Sequence, residues 1–364
     1  MTADTLIHAG TLMEVPGQAL RTNCFVRITQ GRIKEITPGP PPSDSSTLGT
    51  EVIDLSNCCV MPGLIDCHVH SLYEIGERSL LDFVTKTDAD LSLQGVYFTR
   101  KLLESGFTTI RDVGNMQGSD AIYSLRDSIA SGQLLGPRIL GVGAFISPTG
   151  GGGDISGFRH DVCCVIRPSG ICDGPDACRA AVREQVKRGA DLIKVILTGS
   201  VLSMARSGLG VQFHDDELRA IVDTAHLLER PVAVHAHGAA GIQAALRAGA
   251  DSIEHASGMD AKTLDLFASS GAFLVPTLLA MQTVTERARR DGYYPEAIRE
   301  KARALASMSA ANLGRAHAAG VKIAFGTDSG VFRHGDGTRE LALLLEAGMT
   351  PQEAIISEIG RAHV

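Results

Sequence analysis

The hydrophobic and polar positions of this chain follow two patterns, and one gives way to the other near residue 62. From about residue 5 to residue 60, short apolar runs alternate with turn residues, as in CFVRIT at 24–29 followed by GRI at 31–33. This pattern predicts a small β-domain over residues 1–60. The proline-rich, polar segment at 38–46 predicts a surface loop, because proline removes a donor from a sheet.

Beyond residue 62, short apolar runs alternate with segments of helical periodicity, which is typical of repeated βα units. The predicted strands cover residues 64–67, 108–111, 138–142, 191–197, 231–236, 252–254, 272–276 and 321–325. Eight such runs predict an α/β fold, a (β/α)8 TIM-like barrel over residues 61–355.

Helical spacing of apolar residues is clearest at 177–188, 216–229 and 295–319, with plausible stops at the glycine or proline that follows each. Two further helical stretches, 338–347 and 350–355, precede the end of the chain. Residues 356–364 form an atypical tail without apolar strands that could pair with the N-terminal β-domain. We therefore expect a truncated C-terminus, an incomplete β-sandwich and an exposed sheet edge.

Composition and charge narrow the functional classes. The chain has 44% hydrophobic and 21% charged residues, as in ordinary globular enzymes. The net charge of −7 comes without basic clusters, which disfavours nucleic acid and anionic membranes and leaves a small molecule as the expected substrate. The first residues do not have the pattern of a signal peptide, so a cytoplasmic location is expected. We also expect a homo-oligomer.

The eight cysteines include two adjacent pairs, Cys58-Cys59 and Cys163-Cys164, and no CxxC spacing. That spacing argues against a zinc ribbon or a redox motif. Buried, reduced thiols are the prediction.

Residues of metal-binding type recur in or just after the predicted strands, on the face where barrel enzymes keep their chemistry. His68 and His70 are separated by one residue, and such residues share a face at a strand end, so the two side chains could bind one ion. Surface or hydrogen-bonded histidines remain the alternative. His235 and His255 end two successive predicted strands, and imidazole is a natural zinc ligand.

Lys194 lies in DLIKVIL at 191–197, a run apolar enough to be a buried strand, where an unpaired ammonium is strongly destabilising. A lowered pKa would let the neutral amine react with carbon dioxide, giving a carbamate (N6-carboxylysine) that bridges two cations. The alternative is a lysine paired with a buried carboxylate.

Two further residues are assigned to catalysis together with Lys194. Asp328, in FGTDSG at 325–330, could accept a proton from water and later protonate a leaving amine; the alternative is an N-cap of the following helix. His237 is expected to face the substrate while His235 binds metal, and the reverse assignment stays open. Six other residues could face the substrate or be surface or supporting groups: Ser71, Tyr73, Arg111, His214, His334 and Arg339.

The order of these motifs resembles the amidohydrolase superfamily, in its two-metal form with a carboxylated lysine. Within it, the chain is similar to imidazolonepropionase-like proteins, including prolidase-like Xaa-Pro and Xaa-Arg dipeptidases and N-acyl-amino-acid or ochratoxin-type amidases. The resemblance covers about residues 5–355 and rests on PGLIDCHVH at 62–70, GFTTIRD at 106–112, DLIK at 191–194, VHAHG at 234–238, SIEH at 252–255 and GTD at 326–328.

The resemblance implies that His68, His70 and Asp328 hold one ion, that His235 and His255 hold the other, and that carboxylated Lys194 bridges them. Zinc is expected, with manganese, cobalt or iron as alternatives and no other cofactor. The implied activity is cleavage of a C–N bond in a small N-acyl-amino-acid or dipeptide-like substrate by a bridging hydroxide. Two alternatives stay open: a lactonase, phosphotriesterase or cyclic-amide hydrolase, and an inactive scaffold.

The chain also departs from the family pattern. In SPTGGGGD at 147–154, Gly152 stands where the family commonly carries a substrate-contacting histidine. His237 stands where relatives often have tyrosine, and the family usually continues past residue 355 with strands that complete the N-terminal domain. The missing histidine weakens the case for a dipeptide-like carboxylate.

Overall fold

A computed structural model describes residues 4–39, 50–76, 79–204, 209–305 and 308–359. It divides into two compact units, Met1–Gly63 and Leu64–Val364. Most of the loop predicted at 38–46, and residues 360–364 of the predicted tail, lie outside the described residues.

The N-terminal unit contains one four-stranded sheet in its described part. Its strands are β1 (Thr5–Leu12), β2 (Arg21–Thr29), β3 (Arg32–Pro38) and β4 (Glu51–Val60), in the order β3-β2-β1-β4. The β1 strand pairs antiparallel with β2 and parallel with β4. Most of β4 is exposed, and this strand forms one edge of the sheet.

The described part of the second unit contains eight strands that pair in parallel. They are β5 (Leu64–Val69), β6 (Phe107–Asp112), β7 (Arg138–Gly141), β8 (Ile193–Ile196), β9 (Val232–Ala236), β10 (Ser252–His255), β11 (Phe273–Val275) and β12 (Lys322–Ile323). Isolated parallel bridges, Ile146 with Val195 and Val69 with Ser329, join the β5–β7 sheet to both ends of the β8–β12 sheet. The ring of strands therefore closes, and the predicted barrel is confirmed.

Helices follow or precede the strands along the second unit. They are α1 (Ser79–Thr85), α2 (Asp88–Glu104), α3 (Ala121–Ala130), α4 (His160–Val165), α5 (Pro175–Arg188), α6 (Asp215–Leu227), α7 (Ala239–Ala248), α8 (Ala261–Ser270), α9 (Leu278–Ala288), α10 (Glu296–Leu305), α11 (Ser309–Ala318), α12 (Arg339–Glu346) and α13 (Pro351–Ile359). The prediction of a single helix at 295–319 is wrong, since two helices, α10 and α11, occupy that stretch. Their buried residues continue one helical spacing, which is why the sequence pattern resembles one helix. Helix α13 continues to residue 359, into the predicted tail.

The cysteines only partly meet the prediction. All eight are free thiols, and Cys24, Cys67, Cys172 and Cys178 are buried. The prediction of burial is wrong for the two adjacent pairs, because one lies on the exposed strand β4 and the other on α4, which buries none of its residues. Among the described residues, no helix has the length and apolar character needed to cross a membrane.

Candidate metal centre

The carboxyl ends of the barrel strands surround one cavity of about 100 Å³. Every residue predicted for the site lines it: His68, His70, Lys194, His235, His237, His255 and Asp328. The structure therefore brings together side chains that are up to 260 residues apart in sequence, since residue 68 and residue 328 face the same space. The roles of these residues remain predictions.

The most compact group in the cavity is formed by His68, His70 and Asp328, whose candidate ligand atoms all lie within 4.8 Å of one another. Asp328 Oδ1 is 3.2 Å from His70 Nε2 and 3.5 Å from His68 Nε2. Donor atoms at about 2.0–2.1 Å from a tetrahedral zinc ion are roughly 3.3 Å apart. The three side chains are thus spaced to share one cation.

Asp328 is held in place by strand β5. Its backbone N–H donates to the carbonyl of His68 at 2.7 Å. The hydroxyl of the preceding residue, Thr327, donates to the carboxylate of Asp66 at 2.6 Å, and the same carboxylate accepts from the backbone N–H of His68 at 3.0 Å. Asp66 therefore ties the two ligand segments together from below the site.

His68 is oriented by a buried carboxylate. Its Nδ1 lies 2.7 Å from Oε2 of Glu254, whose Oε1 accepts from Arg111 at 2.8 Å. Burial alone would raise the pKa of Glu254, but Arg111 and Lys194 hold this pKa well below its usual value. An ionised Glu254 holds the proton on Nδ1, which leaves Nε2 of His68 free to bind a cation.

Three other histidines are also oriented through Nδ1, by a backbone carbonyl or a hydroxyl group instead of a carboxylate. His70 Nδ1 lies 2.7 Å from the carbonyl of Gly114, His255 Nδ1 lies 2.7 Å from Thr277 Oγ1, and His237 Nδ1 lies 3.0 Å from Ser257 Oγ. Each contact leaves Nε2 available. Burial lowers the pKa of His68 and of His237 to about 4, and lowers the pKa of His255 well below its ordinary value. The rings of His68, His237 and His255 are therefore neutral at physiological pH, the form in which imidazole binds metals. Burial also acts to lower the pKa of His70, but its contact with Asp328 raises this pKa above the ordinary value.

Lys194 is 2% exposed, and its Nζ makes no hydrogen bond within the described part of the chain. The expected alternative, a lysine paired with a buried carboxylate, is therefore not seen among those residues. Burial lowers the pKa of Lys194 to about 8. A buried amine with a lowered pKa is the form needed for reaction with carbon dioxide.

Two more polar atoms of the cavity are buried without a hydrogen bond to any described residue, His235 Nε2 and Asp328 Oδ1. Buried polar atoms in folded proteins nearly always have a partner, so atoms like these need explanation. Their chemical types, an imidazole nitrogen and a carboxylate oxygen next to an amine, fit divalent cations and a lysine carbamate.

The backbone at the site is strained at three residues that follow or end strands. His255, Thr277 and Asp328 have φ values of 70°, 50° and 61°. Such left-handed conformations cost of the order of 1–3 kcal/mol each in residues other than glycine and cluster at functional sites.

The remaining candidates are divided between the cavity and its supports. Tyr73 lines the cavity. Ser71 donates to Asp112, and Arg111 contacts Glu254. His334 is buried against Glu74, whereas His214 and Arg339 are exposed and lie outside the cavity wall.

Glu254, Asp66 and Thr277 were not assigned a role from the sequence. For the two carboxylates a signal existed, because a charged residue inside an apolar strand requires a buried partner. Thr277 carries no such signal, since its contact with His255 depends on a turn conformation.

Comparison with known proteins gives consistent results. The model of the Amidohydrolase family matches residues 59–357. The chain is 32% identical to ochratoxinase of Aspergillus niger, over 96% of this chain and 74% of that protein. Among solved structures, a Xaa-Pro dipeptidase with bound methionine has a TM-score of 0.90 and 37% identity, covering 98% of this chain and 86% of that one. A prolidase complexed with N-methylphosphonate-L-proline has a TM-score of 0.86 and 30% identity, covering 99% and 86%.

These matches confirm the resemblance drawn from the motifs, including its prolidase-like and ochratoxinase-like branch. They also make the protein an enzyme, a hydrolase that acts on carbon–nitrogen bonds. With the family model covering most of its length, the chain belongs to the amidohydrolase family.

Proposed function

We propose that this protein is a two-metal amidase that hydrolyses the C–N bond of a small N-acyl-amino-acid or dipeptide-like substrate. The observation that carries the proposal is the set of unsatisfied donor atoms around one buried cavity, above all Lys194 Nζ, His235 Nε2 and Asp328 Oδ1. Asp328 Oδ1 has Nε2 of His70 and of His68 at 3.2 and 3.5 Å, whereas Lys194 Nζ and His235 Nε2 have no hydrogen-bond partner among the described residues.

In this proposal His68, His70 and Asp328 hold one divalent ion, and His235 and His255 hold the second. Lys194, as its carbamate, would contribute to holding both ions. When bound, such a pair of ions lowers the pKa of water and polarises a carbonyl group. Zinc is our first choice, with manganese, cobalt and iron as alternatives.

The side chains then have separate tasks. Asp328 lines the cavity, so its carboxylate can take a proton from water and pass it to the leaving nitrogen. His237 is fixed through Ser257 and presents a neutral ring to the substrate. Apolar residues of the wall, among them Phe145, Val201 and Val331, exclude bulk water.

The amide specificity is supported by the relatives, which include an ochratoxinase, a Xaa-Pro dipeptidase and a prolidase. The wall at Gly152 argues against a tightly held carboxylate at that point. A Cβ there would lie 2.8 Å from the backbone nitrogen of Ser200 and 3.1 Å from the carbonyl of Thr198, so the loop is packed for a residue without a side chain.

The test is hydrolysis of N-acyl-amino acids and dipeptides by protein loaded with zinc or manganese, with a lactone and a phosphotriester as comparison substrates. The proposal expects amide turnover that is abolished by chelation and restored by the ion. If only the lactone or only the phosphotriester is hydrolysed, the proposed specificity for amides is wrong and the protein is a lactonase or a phosphotriesterase. No turnover of any compound by metal-loaded protein would favour the inactive scaffold.

A further inference from the structure

A second cavity of about 180 Å³ adjoins the candidate metal centre. The two cavities share three wall residues, Ile75, Met116 and Leu202. The remaining wall of the second cavity is mainly apolar and aromatic, with Ile155, Met204, Tyr293, Tyr294, Pro295 and Ile298. A substrate bound at the metal centre thus has an apolar space next to its reacting group.

Ser79, Ser156, Ser203 and Tyr293 bring hydroxyl groups to this wall, and Tyr294 brings one that is buried. The residue is 9% exposed, and its hydroxyl makes no hydrogen bond of good geometry with any described residue. The nearby Arg287 directs Nη1 instead to the carbonyls of Val331, at 2.6 Å, and Ile75, at 3.1 Å. A buried tyrosine hydroxyl usually finds a partner, so a polar group of a ligand in the cavity would be a suitable one for Tyr294.

The boundary between the two cavities is anchored from both sides. Arg287 holds the backbone at Ile75 and Val331. Lys301 donates to the carbonyls of Ser200 and Ser203, at 2.9 and 2.6 Å, and so fixes the segment that carries Leu202. Residues bonded in this way form a wall whose position is set before the substrate arrives, which reduces the entropic cost of binding.

We propose that the second cavity, which we call the aryl pocket, binds an aromatic group attached to one side of the scissile amide. A hydroxyl or carbonyl on that group bonds the hydroxyl of Tyr294. This inference rests on the proposed amidase function and extends it, since it makes bulky aryl amides better substrates than their small counterparts. Apolar walls with a small number of placed polar groups are typical of pockets that recognise such ligands.

The experiment compares four amides with wild-type protein loaded with zinc: N-acetylalanine, 2-naphthoylglycine, 6-hydroxy-2-naphthoylglycine and N-acetyl-2-naphthylalanine. The two naphthoyl compounds place the ring on the acyl side, and the naphthylalanine places it on the amine side. We expect kcat/KM to be at least about tenfold higher for one of these positions than for N-acetylalanine, since area removed from water stabilises the bound state.

Two variants then test the assignment to this cavity. Ile298→Trp fills the aryl pocket and should reduce the ratio of aryl to acetyl kcat/KM about tenfold, whereas Ile298→Ala enlarges the pocket and should preserve the ratio better. Tyr294→Phe removes only the hydroxyl and should cost about fivefold with a hydroxylated ring and little with the plain ring. The exposed Tyr97 gives a matched control, Tyr97→Phe, which should change neither.

Direct binding separates this inference from the amidase proposal. Fluorescence titration with 6-hydroxy-2-naphthoate should show saturable binding to the wild type and at least about tenfold weaker binding to Ile298→Trp, whether or not any amide is cleaved. Amidase activity without a preference for aryl substrates would overturn the aryl pocket. The same conclusion would follow if folded Ile298→Trp protein kept both the binding of 6-hydroxy-2-naphthoate and the preference for aryl substrates. If the Ile298→Trp variant binds 6-hydroxy-2-naphthoate more weakly than the wild type but neither protein cleaves any amide, the aryl pocket is supported and the amidase proposal is overturned.

Discussion

The carboxylate of Glu254 contacts the ring of His68, with a distance of 2.7 Å between Oε2 and Nδ1. Both side chains are buried at the carboxyl ends of barrel strands. Glu254 directly precedes His255, so two adjacent residues contribute to the centre in different ways. The first orients a ligand on a distant strand, and the second faces the cavity itself. This relationship makes Glu254 a positioning residue in our proposal.

Replacing Glu254 should therefore weaken metal binding without touching any proposed ligand. Glu254→Gln removes the negative charge that holds the proton on His68 Nδ1, and it leaves Arg111 without its ion-pair partner. We expect affinity for one ion to fall by about 10- to 100-fold. Titration with a competing chelator measures this. The control is Glu104→Gln, an exposed carboxylate paired with Arg100 and Lys101; equal affinity in the two variants would contradict the role of Glu254.

Lys194 should make the stability of the metal-free protein depend on pH. Burial lowers the pKa of Lys194 to about 8, from an ordinary value of 10.5 in the unfolded chain. Between these values the unfolded state binds more protons, so the free energy of unfolding rises with pH. Below pH 8 the buried ammonium costs roughly 3 kcal/mol. Lys194→Met should thus be the more stable protein at pH 7, with an advantage that shrinks as pH rises from 8 to 10.

Urea unfolding of metal-free wild type and Lys194→Met across this pH range is the measurement. Lys262→Met, at an exposed lysine, controls for loss of a charge. A stability difference between wild type and Lys194→Met that does not change with pH would show that burial of the ammonium is not its cause.

Gly152 and Gly210 should differ in their tolerance of a side chain. Gly152→Ala introduces a Cβ 2.8 Å from the backbone nitrogen of Ser200. Crowding against backbone should cost about 1–3 kcal/mol and disturb the cavity wall, lowering kcat/KM as well. Gly210 has open space around its Cβ position, so Gly210→Ala is the matched control. Thermal melts and kcat/KM of the two variants measure this difference. Equal stability and equal kcat/KM in the two variants would mean that the tight packing at Gly152 is unimportant.

Replacing Asp328 with asparagine should affect proton transfer much more than metal binding. Asp328→Asn keeps an oxygen that can contact a cation but cannot accept a proton, so we expect kcat to fall about 10²- to 10⁴-fold. Bound metal, measured by mass spectrometry, should change much less. Asp336→Asn, at an exposed position after the same strand, should leave both values unchanged. Full activity of Asp328→Asn would assign proton transfer to another group.

Much of the barrel and its candidate site could be predicted from the sequence. Parallel strands buried on both faces give apolar runs, and a polar residue at the end of such a run, such as Lys194 or His235, stands out against it. Because all strand ends of a barrel meet on one rim, the order of these residues predicts their meeting in space.

Other features depend on contacts that no local pattern records. The bond between Thr277 and His255 joins two strands through a left-handed residue, and Asp66 contacts Thr327 across 261 positions. The break between α10 and α11 was missed for a different reason, since two amphipathic helices in phase resemble one long helix. Exposure of Cys58 and Cys59 follows from the edge position of β4, which composition does not predict.

The most direct test of the two-metal centre is the metal content of wild type and Lys194→Ala, measured by mass spectrometry after gentle purification and paired with amide hydrolysis. We predict two divalent ions per wild-type chain, and the loss of metal together with activity in the variant. Wild type and variant that are equally poor in metal and inactive, even after zinc or manganese is added, would contradict the bridged centre.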